Sequence, residues 1–146
     1  MTTPSTARLR IGDLAERAGV TPRTVRYYEE LGLLPVGDRE QGKHRTYDEA
    51  AVERLRELTR LRDLLGLSLD ELRRVMQGED AREELKRQFH ETESHEERLR
   101  IVEAALPNVD LQLELVRRRL GELGELEQAL VERRKLLLRR RRELGA

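Results

Sequence analysis

Apolar residues near the start of the chain recur three or four positions apart, which is the spacing of an amphipathic helix. A first helix opens at Gly12 and ends at Gly19, and a second opens at Thr21. Threonine can accept a hydrogen bond from a free N–H of the first turn, and Pro22 has no N–H that would need a partner there. Gly32 can take the left-handed conformation that ends the second helix. Helix, short turn and helix in this order predict a helix-turn-helix.

The segment after the second helix has the pattern of a two-stranded hairpin. A short apolar piece ends at Gly37, a polar tip runs to Gly42, and a second piece ends in Thr46 and Tyr47. Upstream, residues 8–11 alternate between polar and apolar and predict a short strand or an extended segment. A hairpin beside a helix-turn-helix is a wing.

Two further helices follow the wing. Asp48 caps a helix whose leucines recur three or four apart, and Ser68 with Glu71 forms a capping box for the next helix. We expect Gly78 to end that helix, so that residues 8–77 form one domain with a shared core.

The second half of the chain carries a heptad pattern of apolar residues, which is typical of a coiled coil. We interpret residues 79–93 as a short connecting helix and residues 94–144 as a long helix with a capping box at Ser94. The heptad keeps its phase across Pro107, although proline deletes a hydrogen bond and clashes with the preceding turn. We therefore expect one helix with a bend near Pro107 rather than two helices. The expected dimerisation residues are Val109, Leu113, Val116, Leu120, Leu123, Leu130 and Leu137. The predicted fold is mainly α, with a winged helix-turn-helix domain followed by a long coiled-coil dimerisation helix.

Composition limits the class of protein. Charged residues make up 40% of the 146, hydrophobic residues 37% and aromatic residues 3%, so the core is modest and a large enzyme core is not expected. With no cysteine, the sequence predicts neither disulfides nor a thiolate site for a soft metal. It shows no signal peptide and no apolar stretch that would cross a membrane, which predicts a cytoplasmic protein without a membrane partner. It also shows no Gly-rich phosphate loop and no Ser-His-Asp or paired-carboxylate arrangement, so we expect no catalytic residues.

The formal net charge is zero, but the charge is unevenly distributed. Residues 1–77 hold 14 basic and 13 acidic groups, residues 78–115 hold 5 and 11, and residues 116–146 hold 10 and 5. Any DNA binding must therefore depend on locally placed arginines rather than on a global positive field.

Such arginines occur on the second helix. Arg23, Arg26, Tyr27 and Tyr28 lie within six residues, and side chains that reach bases and phosphates from one short helix are typical of a major-groove reader. The alternative is a solvated amphipathic helix with incidental arginines. For Tyr27 we favour core packing beneath the helix. The wing adds Arg39, Lys43, His44 and Arg45 as cationic or hydrogen-bonding groups.

Three stretches together resemble the winged-helix DNA-binding domain of the MerR family of bacterial transcription regulators: IGDLAERAGVTPRTVRYYEELGLL, a wing that ends in HRTY, and DEAAVERLRELTRLRDLLGLSLDELRRVM. The resemblance covers residues 9–77. It implies a homodimer on a palindromic promoter element in double-stranded DNA, where the spacer between the polymerase hexamers is too long. It further implies that the protein distorts this DNA so that RNA polymerase can use it.

The resemblance also implies roles for single residues of the recognition helix. Arg23 and Arg26 match residues that meet DNA, and Tyr28 matches a tyrosine that touches the DNA backbone. We expect Arg23 to read a base, because arginine binds guanine through two hydrogen bonds. Thr21 begins the same helix and belongs to the expected DNA-binding set.

In the wing, Arg39 and Arg45 match arginines that contact the DNA backbone, and Lys43 lies at the wing tip between them. Arg62 falls where a third-helix arginine of the family approaches a phosphate. His44 departs from the more usual wing tyrosine, which leaves the contact at that position open.

The family resemblance implies an antiparallel pair of long helices, and the charge distribution supports this orientation. In an antiparallel pair, the acidic start of one helix lies beside the basic end of its partner, whereas a parallel pair would place the arginines 139–142 of both chains together. We expect no cofactor, since metal-sensing relatives use cysteines that this chain lacks, and His90 and His95 would diverge on a helix. The identity of any small-molecule effector stays open, and action without a ligand is an equal alternative. The alternative function is a DNA-architectural or recombination accessory protein with a winged fold, against which the long helix counts.

Overall fold

The computed structural model describes residues 8–40 and 44–146, and for residues 39 and 40 it describes the backbone alone. The elements in chain order are β1 (Leu9–Arg10), α1 (Ile11–Ala18), α2 (Pro22–Glu30), β2 (Asp38–Glu40), β3 (His44–Tyr47), α3 (Glu49–Leu65), α4 (Leu69–Glu91) and α5 (His95–Glu143). The expected mainly α fold is confirmed. The chain divides into two compact units, residues 1–81 and residues 82–146, called here the first and second units.

The helix-turn-helix of α1 and α2 forms through the caps that the sequence predicts. The Thr21 hydroxyl accepts a hydrogen bond from the Thr24 N–H at 3.2 Å, and Pro22 follows it as the first helical residue. Gly19 ends α1 with φ 71°, and Gly32 has φ 73° directly after the last turn of α2. Both glycines occupy the left-handed region that other residues avoid, which sets the turn on either side of α2.

A three-stranded antiparallel sheet in the order β1-β3-β2 supports the wing. The predicted hairpin is confirmed, with Arg39 of β2 opposite Arg45 of β3. The short strand β1 pairs with β3 on its other side, where Leu9 lies opposite Tyr47. The predicted tip, which includes Gly42 and Lys43, lies outside the described residues.

The core of the first unit lies where α1 packs against α2, α3 and the sheet. Its fully buried side chains come from every one of these helices and from α4, which confirms a shared core. The largest are Leu14, Val25, Tyr28, Leu33, Leu34, Val52, Leu55, Leu58, Leu72 and Val75.

Arg54 joins three parts of the first unit. From α3 its Nε donates to the Leu33 carbonyl oxygen at 3.1 Å, and its two terminal nitrogens bind both carboxylate oxygens of Asp80 in α4. The turn that follows α2 is therefore held to α3 and α4 by one side chain.

The expected end of a helix at Gly78 is wrong. α4 runs without interruption from Leu69 to Glu91, and Gly78 is a buried residue inside it. A glycine in a helix interior costs only about 1 kcal/mol relative to alanine, and the bidentate contact of Arg54 with Asp80 stabilises the turn that follows. The separate connecting helix expected over 79–93 is accordingly the C-terminal part of α4. The expected start of α4 is confirmed, since Ser68 and Glu71 exchange the two hydrogen bonds of a capping box.

α5 is one continuous helix with Pro107 inside it, as expected from the heptad phase. Its cap differs in part from the prediction. The Ser94 hydroxyl accepts from the Glu97 N–H at 3.3 Å, but the Ser94 N–H donates to the Thr92 hydroxyl rather than to Glu97. The bend near Pro107 stays a prediction.

The apolar seam of α5 lies on the surface of the single chain. Seven of its residues are 37–61% exposed, on a helix whose other surface is mostly charged: Val109, Leu113, Val116, Leu120, Leu123, Leu130 and Leu137. A long exposed apolar stripe of this kind indicates an interaction surface. Among the described residues, the helices offer no stretch with the length and apolar character needed to cross a membrane.

Candidate nucleic-acid interface

The recognition helix α2 has one buried and one exposed side. Val25, Tyr28 and Glu29 face the core, while Arg23 and Arg26 are exposed. The two arginines are three residues apart and therefore lie on the same side of the helix. Together with Tyr27 and Glu30 they border one open surface depression. The structure thus places on one side of α2 the two arginines expected to meet DNA, of which Arg23 is the expected base reader.

The two tyrosines of α2 exchange the places expected for them. Tyr27 was expected in the core but is 45% exposed, so that expectation is wrong. Tyr28 is 1% exposed, which contradicts a direct contact of its side chain with DNA in this conformation. The helical period explains the exchange, because Val25 and Tyr28 are three apart and share the buried face with Glu29. The spacing of Tyr28 from Val25 was therefore the signal in the sequence that could have placed both tyrosines.

Tyr28 instead contacts one of the expected phosphate-binding residues. Its hydroxyl accepts a hydrogen bond from Arg62 Nη1 at 2.7 Å, and Arg62 Nε donates to the Asp63 carboxylate at 3.0 Å. The hydrogen bond to Asp63 is the main reason that the pKa of Arg62 is raised. The Arg62 side chain is held by these two hydrogen bonds, but it is 36% exposed and therefore still accessible to solvent. Tyr28 therefore helps to hold the Arg62 side chain in place.

A buried carboxylate joins the recognition helix to the wing. The Glu29 side chain is only 1% exposed, and it accepts hydrogen bonds from Arg45 Nη1 at 3.1 Å and from the Tyr47 hydroxyl. Both partners lie in β3. Burial, together with the hydrogen bond to Glu29, raises the pKa of the Tyr47 phenol. A buried charge needs such partners, because an unpaired one costs several kcal/mol, on the order of 3–5.

Sequence reasoning missed Glu29. Glu29 lies between Tyr28 and the exposed Glu30, and as a charged residue type it gives no sign of burial. The only available signal was the helical period, since Glu29 follows Val25 by four residues on the apolar face.

Gly37 lets the wing approach its own base closely. A Cβ at this position would lie 2.8 Å from the Tyr47 ring and 2.9 Å from the Thr46 carbonyl oxygen, closer than real Cβ atoms come. The glycine therefore allows the connection into β2 to pass close to the Tyr47 ring.

The wing residues are placed beside α2 in part. His44 is exposed, and Arg45 is 36% exposed in its side chain. They border an open groove together with Arg26 of α2 and Arg10 of β1. Arg10 was not predicted as part of the interface, although its alternation in the segment 8–11 was noted. The side chain of Arg39 and the whole of Lys43 lie outside the described residues.

Thr21 has a structural role at the start of α2. Its hydroxyl caps the helix and lies 3.0 Å from the Thr24 hydroxyl. Its contact with DNA stays a prediction.

Comparison with known proteins supports a regulator with this domain. Residues 9–79 match the model of a family described as MerR HTH family regulatory protein. Nodulation protein NolA of Bradyrhizobium elkanii is 49% identical over 76 residues, which are 52% of this chain and 34% of NolA. The chain thus spans about a third of the length of the NolA proteins that it matches.

Two other similarities extend over most of the chain. The HTH-type transcriptional regulator ZntR homolog of Haemophilus influenzae is 29% identical over 126 residues, 86% of this chain and 81% of that protein. The crystal structure of the transcription regulator PbrR691 from Ralstonia metallidurans CH34, in complex with lead(II), is similar with a TM-score of 0.51 and 31% identity. This similarity covers 87% of this chain and 86% of PbrR691, and so reaches well beyond the first unit.

Proposed function

The chain belongs to the MerR family of regulatory proteins, and on that basis we propose that it is a homodimeric transcription regulator of promoter DNA. It binds a palindromic element in double-stranded DNA and distorts the DNA there, and RNA polymerase is its partner at the promoter. The observation that carries this proposal is α2, which is capped at both ends, packed on one side and exposes Arg23 and Arg26 on the other.

The dimensions of α2 fit a major groove. Nine residues at about 1.5 Å per residue give a helix of roughly 13 Å, and the major groove admits an α-helix. Arg23 lies in the first turn, where side chains of a recognition helix reach base edges. We assign base reading to Arg23 and a base or phosphate contact to Arg26.

The surrounding arginines have a different task. Arg62 is held by Tyr28 and is partly exposed, and Arg45 is held by Glu29 and borders the same groove as Arg26. Contacts to phosphates position a protein on DNA without reading its sequence. We assign this positioning role to Arg62 and Arg45 and, from the family resemblance, to Arg39. Lys43 and His44 are further candidates on the wing, although His44 departs from the family's tyrosine.

A second copy of the chain supplies the rest of the active species. The exposed seam of α5 is a long apolar surface that the described residues of the same chain leave accessible to solvent. The acidic start and the basic end of α5 favour an antiparallel pair. A two-fold dimer presents two recognition helices, which matches a palindromic element.

The alternatives have less support. The chain and its relatives belong to a family of transcription regulators, which does not favour the architectural or recombination accessory function. These relatives are not enzymes, and we assign no catalytic role to any residue. Because its proposed target is bacterial promoter DNA, we propose that the protein acts in the cytoplasm.

The experiment that tests the proposal is selection of genomic fragments by the purified protein at near-physiological salt, followed by sequencing. We expect the retained fragments to share a palindrome between promoter hexamers that are set unusually far apart. Arg23→Ala should then weaken binding to the selected element by about 1–3 kcal/mol and relax the preference at one base pair in each half-site.

The control is Arg87→Ala, which removes the same charge from the surface of α4, where Arg87 pairs with Glu84 and Glu91. It should leave both affinity and sequence preference unchanged. Retention of fragments without a common sequence would contradict the proposal. An Arg23→Ala variant that loses affinity equally for all DNA would contradict the assignment of Arg23 as a base reader.

A further inference from the structure

We propose that Glu29 is a positioning residue that couples the wing to the recognition helix, so that the arginines of both meet one DNA duplex in a single arrangement. The inference rests on the proposed DNA-binding function and adds a residue that makes no contact with DNA itself.

The first support is the burial of an acidic group inside a surface that must bind a polyanion. An exposed carboxylate at this place would repel phosphates, but the Glu29 side chain is 1% exposed and is paired with Arg45. Its neighbour Glu30 is exposed on the same helix. Replacing Glu29 by an apolar residue would leave both Arg45 and Tyr47 without their acceptor, which is costly for a buried pair. The carboxylate therefore does more than fill space in the core, because its two partners both belong to β3.

The second support is the way in which Arg45 divides its guanidinium. Nη1 donates to Glu29, while Nε is buried and has no hydrogen-bond partner within the described parts of the chain. The side chain as a whole is still 36% exposed and borders the groove shared with Arg26 and His44. Glu29 thus fixes one terminal nitrogen of the guanidinium, while the exposed part of the side chain borders the groove. Charge-assisted bonds of this kind fix orientation as well as energy.

The third support is the position of the contact within the wing. Glu29 binds Arg45 and Tyr47, which are two residues apart and therefore lie on the same face of β3. Arg45 is also the residue opposite Arg39 in β2. The two hydrogen bonds that this carboxylate accepts consequently fix the position of β3 relative to α2. Because β2 is paired with β3, its position is fixed as well.

The consequence for binding is that wing and helix act as one rigid reader. When their relative position is fixed before binding, contacts from both are made without a further cost of ordering. When Glu29 is neutralised, the helix keeps its own caps and base contacts, but the wing samples more positions.

The test compares wild type with Glu29→Gln on the DNA fragment selected by the wild-type dimer. We expect Glu29→Gln to lower affinity about tenfold, the loss of one charge-assisted hydrogen bond, without a change in sequence preference. Hydroxyl-radical protection of the backbone sugars beside the wing should weaken, while protection at the recognition helix remains. Arg39→Ala should cost less affinity in the Glu29→Gln background than in wild type, since the two residues act through the same contact.

Glu30→Gln is the matched control, because it removes the same charge from the next residue of the same helix, where the carboxylate is exposed. It should bind DNA equally or more tightly and keep all protections. If Glu29→Gln does not fold, Tyr47→Phe removes only one of the two hydrogen bonds and should show the same pattern with a smaller effect.

Two outcomes overturn the inference in distinguishable ways. Suppose that wild type protects its site, and that folded Glu29→Gln protects the same backbone positions. If Arg39→Ala also lowers affinity equally in both backgrounds, Glu29 is structural only. If wild type protects no site, the proposed function is wrong and the inference fails with it.

Discussion

The two units of the chain bury their apolar residues by different means. In the first unit, leucines and valines from α1 to α4 and Tyr28 and Tyr47 reach 0–2% exposure within one chain. In the second unit, the seven seam residues of α5 are each 37–61% exposed to solvent. The first unit therefore has a core that is buried within one chain, whereas the apolar seam of the second unit is exposed in a single chain. The difference teaches that the first unit closes its core within one chain, whereas the exposed seam of α5 is where the proposed dimer would complete its burial.

The difference also concerns polar contacts. Long-range hydrogen bonds hold the first unit together, such as Glu29 to β3 and Arg54 to Leu33 and Asp80. In α5 the ion pairs that the structure shows are between residues three or four apart, such as Arg119 with Glu122 and Lys135 with Glu132. Such pairs support a helix by only about 0.2–0.5 kcal/mol each. They stabilise α5 without determining what it packs against.

The largest expected effect comes from placing a charge in the seam. Leu120 is 61% exposed in the single chain, so Leu120→Lys removes little packing within that chain. In the dimer it would bury an unpaired ammonium in each copy, and we expect the dissociation constant to rise by at least about a hundredfold. Sedimentation equilibrium measures this change.

Gln128→Lys adds the same charge to α5 outside the seam and serves as the control. A dimer that survives Leu120→Lys unchanged would show that the seam is not the interface.

A smaller effect is expected from a cavity in the first unit. Leu55 is 0% exposed at the centre of α3, and Leu55→Ala should lower the free energy of unfolding by about 2–5 kcal/mol. Because this core is complete within one chain, the loss should be the same at all protein concentrations at which the dimer is intact. Denaturant unfolding of the first unit, followed at several concentrations, measures it.

Leu64→Ala truncates the same residue type on the same helix at a position that is 58% exposed. We expect it to stay within about 0.5 kcal/mol of wild type. Equal losses in the two variants would contradict the assignment of the core.

The smallest effect concerns pH. Burial raises the pKa of Tyr47, so the folded protein holds this proton more tightly than the unfolded chain. The associated stability is fully present below the ordinary tyrosine pKa of about 10 and is lost as pH rises above it, by at most about 1.4 kcal/mol per pH unit. Unfolding of wild type and Tyr47→Phe between neutral pH and pH values above 10 should show a steeper loss for wild type. Parallel pH dependences would mean that Tyr47 ionises as readily in the folded as in the unfolded state.

Much of the fold was predictable because it depends on neighbours in sequence. The caps at Thr21, Asp48 and Ser68, the helix end at Gly19 and the left-handed turn at Gly32 act over a few residues, and all of them are confirmed. The heptad across Pro107 likewise predicted one continuous helix. The end at Gly78 failed because a distant contact, Arg54 with Asp80, supports the helix where local propensity weakens it.

The candidate interface was predictable only in its exposed residues. Arg23 and Arg26 follow from residue type and spacing, and the structure places both on one open face. Their assignment to DNA contacts stays a proposal. The roles of Tyr28 and Glu29 depend on partners that lie 34 and 16–18 residues away, and no local pattern contains that information.

The sequence by itself determined where the helices of the first half begin, that the chain carries a winged helix-turn-helix, and that α5 has an apolar seam. These features follow from caps, periodicity and turn residues, whose energies act between near neighbours. Only the tertiary structure decided that Tyr28 is buried under Arg62, that Tyr27 is exposed, and that Glu29 ties α2 to β3. Burial decides such roles, because the Glu29 carboxylate gains its partners, and the Tyr47 phenol its raised pKa, only when folding removes them from water.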